Sequence, residues 1–210
     1  MYNPSHFREE RLDVLHETIS QARLCSLVTL GSDGLDASHI PVLLEAGEGP
    51  NGTLYGHLAR GNPQWKQTDK GVAALAIFLG ADAYVSPSWY AAKAEHGKVV
   101  PTWNFVTIHA RGTIEFFDDR DRLLPLVTKL TDRHEGKRAD PWAVSDAPAD
   151  FIEGFLKAII GFRLPIDKIE GKWKLGQNRS EADQRGVIAG LNAEGDLADK
   201  ALADLMSKRV

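Results

Sequence analysis

The chain has 210 residues, a hydrophobic content of 43%, a charged content of 26% and a formal net charge of −4, the profile of an ordinary globular protein with one sizeable core or a core plus a small appendage. No apolar run approaches the roughly 20 residues that span a bilayer, and the start Met1–Arg11 lacks the basic-then-apolar order of a secretory leader, so a cytoplasmic protein is expected. Cys25 is the only cysteine, which excludes an internal disulfide and a cysteine-rich metal site.

Residues 8–21 carry Leu12, Leu15 and Ile19 at helical spacing and predict a first helix. Leu24 to Leu30 reads as a strand, Gly31 to Gly34 as a tight turn, and Asp36 to Leu44 as the returning arm of a hairpin. Beyond a Gly/Pro/Asn cluster at 47–52, Thr53 to Leu58 is extended. Gly61 breaks that strand, Asn62 is a good helix cap, Pro63 suits a first helical residue, and Gly71 can end the helix. Strands are expected at 72–79 and 83–88, a polar loop at 91–98, and one or two strands in the β-branched and aromatic run 99–117. Helices at 119–133 and 148–160, an extended stretch at 162–175, and polar-faced helices at 180–191 and 196–208 complete the pattern. Too few helices separate the strands for a parallel βαβ arrangement. The prediction is a mainly β fold with flanking helices, a small β-barrel with helices on its outside.

The stretch 53–71 carries the sharpest chemical signal. A strand running through Arg60 into a capped helix start would aim free backbone N–H groups, the positive end of the helix dipole and a guanidinium at one point, which makes a site for a phosphate. An ordinary strand-to-helix turn with Arg60 in water is the competing reading. Polar and aromatic residues also cluster at Ser38-His39-Ile40-Pro41, His57 to Trp65, Tyr84 to Tyr90, Val100 to Phe105 and Lys172 to Arg179. Prolines inside strand-like sequence mark interrupted pairing, where backbone groups are free to meet a ligand, though a barrel edge or an aromatic core would use the same residues. The seven histidines show no metal-ligand spacing, and Ser86 and Ser88 lie in no nucleophile elbow. Positive charge is scattered, with its densest groups at Arg133 to Arg138 and Lys168 to Arg179, so DNA binding near physiological salt is expected to be weak and nonspecific.

Taken together, Tyr2 to Phe7 (YNPSHF), Gly56 to Trp65 (GHLARGNPQW), Tyr84 to Tyr90 (YVSPSWY), Val100 to Gly112 (VPTWNFVTIHARG) and Lys172 to Arg179 (KWKLGQNR) resemble the PaiB-like FMN-binding negative transcriptional regulators. The likeness covers nearly the whole chain in the right order. It departs at Gly176, where the usual residue before the glutamine is serine. It implies an FMN-binding split β-barrel related to the pyridoxamine-phosphate oxidases, spanning residues 1–175, with a helical extension at 176–210, and a homodimer holding FMN at its interface. By the same resemblance Ser38, His39, Ile40, Pro41 and Val42 lie beside the isoalloxazine ring, with His57, Leu58 and Ala59 on the neighbouring strand. The two histidines would hydrogen-bond the flavin edge or a backbone carbonyl. Arg60, with the groups around Asn62 and Gln64, would take the phosphate; Trp103 and Asn104 would approach from the second subunit; Lys174, Gln177 and Arg179 would close the phosphate side.

The function implied is negative transcriptional regulation, with DNA as a partner by resemblance alone, since no helix-turn-helix flanked by basic residues is visible. A flavin-dependent oxidoreductase, in which the protein supplies position and electrostatics, is the alternative. A flavin-binding or haem-handling module without turnover is a third.

Overall fold

The computed structural model describes residues 1–209. In chain order the elements are β1 (Arg8–Glu9), α1 (Leu12–Gln21), β2 (Cys25–Gly31), β3 (Gly34–Ile40), β4 (Val42–Glu45), β5 (Thr53–Ala59), α2 (Gln64–Gln67), β6 (Ala73–Val85), α3 (Ala92–His96), β7 (Thr102–Thr113), β8 (Glu115–Phe117), α4 (Arg120–Glu135), α5 (Ala149–Leu156), β9 (Ile159–Pro165), β10 (Lys168–Lys174), α6 (Glu181–Glu194) and α7 (Leu197–Ser207). They form a six-stranded sheet in the order β1-β10-β7-β6-β2-β3 and a four-stranded sheet in the order β4-β5-β9-β8. The expected mainly β, helix-flanked architecture is the one observed.

The chain divides into two units, and β6, β7 and β10 each run from one into the other. One comprises residues 12–78 and 109–169. Its hairpin keeps the register Cys25↔Ile40 to Gly31↔Gly34, and alternation along β2 buries Cys25, Leu27 and Thr29. Burial pushes the Cys25 thiol up to about 12, so it is an inert packing group. The four-stranded sheet is registered by Val42↔Gly56 and His57↔Gly161. Phe117, Leu123, Leu126, Leu130 and Leu156 form a core with β8, α4 and α5, and Leu43, Tyr55 and Ile159 pack against it.

The other unit comprises residues 1–11, 79–108 and 170–210. Within it β1 pairs with β10 through Arg8↔Lys172 and Glu9↔Gly171. Its terminal helices α6 and α7 are capped by the side chains of Ser180 and Asp196. They bury Val187, Leu191, Leu202, Ala203 and Met206. Glu9 is buried and accepts hydrogen bonds from Arg11 and Arg209. Arg11 is the main reason its carboxyl is held down at about 2.

Several elements differ from the sequence reading, each for a local reason. The returning arm expected over Asp36 to Leu44 splits at Pro41 into β3 and β4, which belong to different sheets. The helix expected at 148–160 ends at Leu156, where pairing with β5 takes the chain into β9, and the extended stretch expected at 162–175 is divided between β9 and β10. Pairing with β10 keeps Arg8 and Glu9 extended, so α1 begins only at Leu12. The expected helix from Asn62 to Gly71 shrinks to α2, because Thr68 bridges back to Gly31 and the Asp69 N–H donates to the Leu30 carbonyl. The two strands expected at 72–88 are one continuous β6, in which Gly80 lies against Val106 instead of breaking the strand. The expected loop at 91–98 holds α3, ended by Gly97 in the left-handed region at φ 66°.

Candidate functional site

In the unit of residues 12–78 and 109–169, the chain steps from β3, the terminal strand of one sheet, through Pro41 into β4, the terminal strand of the other. Proline donates no N–H, so it ends one ladder before the next begins. On a terminal strand, every second residue turns its N–H and C=O away from its only neighbour. The run Ser38 to Val42 therefore carries backbone donors and acceptors that no strand satisfies on one side. Within it, His39 is exposed, Ile40 and Val42 are buried, and Ser38 and Pro41 lie between those extremes.

A polar knot fixes the far side of this run. The Gln64 side chain is fully buried. Its Nε2 donates to the Leu27 carbonyl at 3.1 Å, to Thr29 Oγ1 at 3.1 Å and to the Asp36 carbonyl at 3.3 Å. Its Oε1 accepts from Ser38 Oγ at 2.6 Å. Asn62 Nδ2 donates to the same Ser38 Oγ at 2.8 Å, and Asn62 Oδ1 accepts from the Gln64 N–H at 2.9 Å. Ser38, expected beside the ring, and Asn62 and Gln64, expected around the phosphate, are joined by these bonds into a brace between the turn and the β2/β3 hairpin. His39 Nδ1 pairs with Ser26 Oγ at 2.9 Å.

Arg60 begins that turn. Its Nε donates to the Lys157 carbonyl at 2.6 Å, its Nη2 to the Ile159 carbonyl at 3.4 Å and its Nη1 to Asp118 Oδ2 at 3.2 Å. Three of its five N–H donors are engaged, and about a third of the side chain stays open, 37%. α2 has four residues, too few for a helix dipole of consequence. Leu58 is buried and Ala59 exposed. His57, one residue beyond the Val42–Gly56 pair and so beside Pro41, has a buried Nδ1 with no hydrogen-bond partner. Burial lowers its pKa, favouring the neutral ring.

The remaining expected residues lie in the other unit. Lys174 Nζ donates to Thr102 Oγ1 at 2.5 Å and to the Trp103 carbonyl, and sits over the Phe105 ring at 5.9 Å, with Lys172 over the same ring at 5.3 Å. Burial first, then the charges of Lys172 and Arg179, lowers the Lys174 pKa. The Arg179 guanidinium lies 4.9 Å from the Tyr90 ring centre. Gln177 folds back on its own strand, donating to the Trp173 carbonyl at 2.6 Å and accepting from the Leu175 N–H at 2.8 Å. Gly176 has φ +81°, a conformation that suits glycine better than serine. Trp103 is 55% exposed, whereas Asn104 is buried and its Nδ2 donates to Met206 Sδ at 3.7 Å.

The donor set suits a flavin. The unpaired edge at Ser38 to Val42 offers alternating donors and acceptors, and His57 Nδ1 is an orphaned polar atom beside it. Arg60 is a cation of the same unit only partly spent on protein partners; in the other unit Lys174 and Arg179 are further cations. Sequence reasoning missed Thr29 and Asp36, the anchors of Gln64, and Thr102, the partner of Lys174. Only the polar identity of Thr29 at a buried alternation position signalled any of them. Among the described residues no group of three histidine, cysteine or acidic side chains could hold a metal ion, and no helix is long and apolar enough to cross a membrane.

Comparison with known proteins leads to the same cofactor. Across its full length the chain is 32% identical to an uncharacterized protein of Emericella nidulans, AN0679, covering 97% of it. It is 29% identical, again over its full length, to Protease synthase and sporulation protein PAI 2 of Bacillus subtilis, covering 98% of that protein. It shares its fold with the FAD and haem binding protein from Mycobacterium smegmatis, at a TM-score of 0.57 and 20% identity over 87% of this chain and 80% of that one. Residues 1–168 match the family described as "Putative FMN-binding domain". The chain belongs to that family of FMN-binding proteins, and FMN is its cofactor.

Proposed function

We propose that this FMN-binding protein is a homodimeric, cytoplasmic negative transcriptional regulator of the PaiB type. The observation that supports the flavin placement is the passage of Ser38 to Val42 between two sheet edges, with the orphaned His57 Nδ1 beside it. The backbone of this run orients the pyrimidine edge of the ring, and Ser38, Asn62 and Gln64 keep the run rigid. Arg60 gives its two remaining N–H donors to the phosphate, and Lys174 and Arg179 form a second cationic group available to it. Trp103 is the side chain offered to a second copy. When bound, FMN supplies hydride- and electron-accepting chemistry. The regulatory reading rests on the motif resemblance to the PaiB-like regulators, and the similarity to Protease synthase and sporulation protein PAI 2 runs along the entire chain.

A flavin-dependent oxidoreductase is the second reading, and the charge distribution favours it. The net charge is −4, and Arg120, Arg122, Lys129 and Arg163 are each paired with a glutamate, which leaves little positive field for a DNA backbone. Two assays on the FMN-loaded protein separate the readings. A sequence-selective mobility shift on a promoter fragment near physiological salt supports the regulator. Steady NAD(P)H consumption without such a shift replaces it with the enzyme.

A further inference from the structure

A groove of about 340 Å³ lies within the unit of residues 12–78 and 109–169 and is lined by Leu43, Glu45, Glu48, Tyr55, Arg122, Pro125, Leu126 and Lys129, none of them a residue of the Ser38 to Val42 run. Its volume falls in the range of small-molecule sites. One wall is a single stripe of α4, since Arg122, Pro125, Leu126 and Lys129 follow the i, i+3, i+4, i+7 spacing of one helix face. That stripe has a cation at each end and an apolar middle. The facing wall comes from β4, β5 and the loop between them, where Leu43 and Tyr55 sit directly opposite each other across the strands. Both also pack against the core cluster beneath.

The charged groups are held in place, yet not exhausted. Tyr55 donates to Glu48 Oε2 at 2.8 Å, and Arg163 donates to Glu48 Oε1 at 2.5 Å and to the Tyr55 hydroxyl at 3.1 Å. Burial raises the Glu48 pKa, but the hydrogen bonds from Arg163 and Tyr55 outweigh it and hold the carboxyl below its ordinary value. Glu45 uses Oε1 for Lys129 Nζ at 2.5 Å, which leaves its second oxygen and two ammonium protons of Lys129 for another partner. Arg122 gives Nη1 to Glu115 at 2.7 Å and stacks at 3.8 Å over the Phe117 ring, with its remaining N–H groups uncommitted among those bonds.

The lining is balanced: two carboxylates, Glu45 and Glu48, against two cations, Arg122 and Lys129, around an apolar floor. A free anion would meet the two glutamates and a free cation the two bases. An uncharged molecule would displace water from four charges without replacing its hydrogen bonds. We propose that this groove is a second ligand site, for a zwitterionic molecule of amino-acid size with an apolar side chain. Its ammonium goes to Glu45, its carboxylate to Arg122 and Lys129, and its side chain lies over Leu43, Tyr55 and Leu126.

The test is calorimetric titration of the full-length, FMN-saturated protein with L-phenylalanine, 3-phenylpropanoate, which lacks the ammonium, and phenethylamine, which lacks the carboxylate. L-phenylalanine is expected to bind at least about tenfold more tightly than either analogue, because each loses one charge-assisted contact. Of the two variants, each checked for an unchanged melting temperature, Glu45→Gln should erase the preference over 3-phenylpropanoate and Arg122→Gln should reduce the preference over phenethylamine. Equal binding of all three compounds, binding indifferent to both variants, or no heat up to about 10 mM, a Kd too weak for built recognition, overturns the proposal. FMN affinity is read in the same samples, so a failure of the groove is distinguishable from a failure of the flavin site.

Discussion

Arg60 shows how one side chain can serve the scaffold and a ligand together. Its contacts to the Lys157 and Ile159 carbonyls tie the end of β5 to the approach to β9, and its hydrogen bond to Asp118 is solvent-exposed and weak. If the two uncommitted donors meet the FMN phosphate, Arg60→Ala should weaken FMN by roughly 1.5–3 kcal/mol, about tenfold to a hundredfold. Riboflavin shares the ring and lacks the phosphate, so its affinity should hardly change. Fluorescence titration of both ligands decides the matter, with the ligand-free melting temperature recorded to register the lost carbonyl contacts. Equal losses for both flavins would make Arg60 a purely structural residue. Its neighbour Gln64 is tied more firmly, a buried amide that donates to the Leu27 and Asp36 carbonyls and to Thr29 and accepts from Ser38.

At the scale of elements, two glycines inside helices make opposite predictions. Gly190 of α6 lies against the Trp89 indole, and a Cβ there would run into the ring, so Gly190→Ala should lose about 1–3 kcal/mol through overpacking. Gly154 of α5 has nothing near its missing side chain, so Gly154→Ala should gain up to about 1 kcal/mol from helix propensity. Urea melts of the two variants test the pair, and a Gly190→Ala protein as stable as the parent would show that Trp89 packs elsewhere. These two positions also mark what the sequence could reveal. The β2/β3 hairpin was legible because alternation and the Gly31 to Gly34 turn agree with each other. α4, α6 and α7 were legible because their apolar spacing is long. α2 was not, because the return of Thr68 to Gly31 is a tertiary pairing that overrides a good cap and a suitable proline. The continuity of β6 was hidden because Gly80 answers to Val106 and reads, in sequence, as a break. In the site, proline inside strand-like sequence correctly marked a gap between ladders. The protein partners of Arg60 and the burial of Asn104 depend on distant segments, which local pattern cannot locate.

At the scale of the whole molecule, one unit leaves Leu79, Tyr84, Val100 and Trp103 at 72%, 47%, 63% and 55% exposure, with the Tyr84 and Trp103 rings edge-on at 6.0 Å. Large exposed apolar groups, two of them in contact, suit a contact between copies. Light scattering of the FMN-loaded protein at micromolar concentration should report a dimer, and Trp103→Ser should raise its dissociation constant about tenfold or more. A monomer with FMN still bound would remove the dimer from the functional reading. The sequence order of the two units bears on how the chain is made. Residues 12–78 and 109–169 are all available once residue 169 has left the ribosome, whereas the other unit joins residues 1–11 to 170–210. β1 finds its partner β10 only after residues 168–174 are made, and Glu9 its partner Arg209 only after α7. At about 5–20 residues per second, the first segment waits on the order of 10–40 s for its partners, an interval in which its strand edge has no partner of its own.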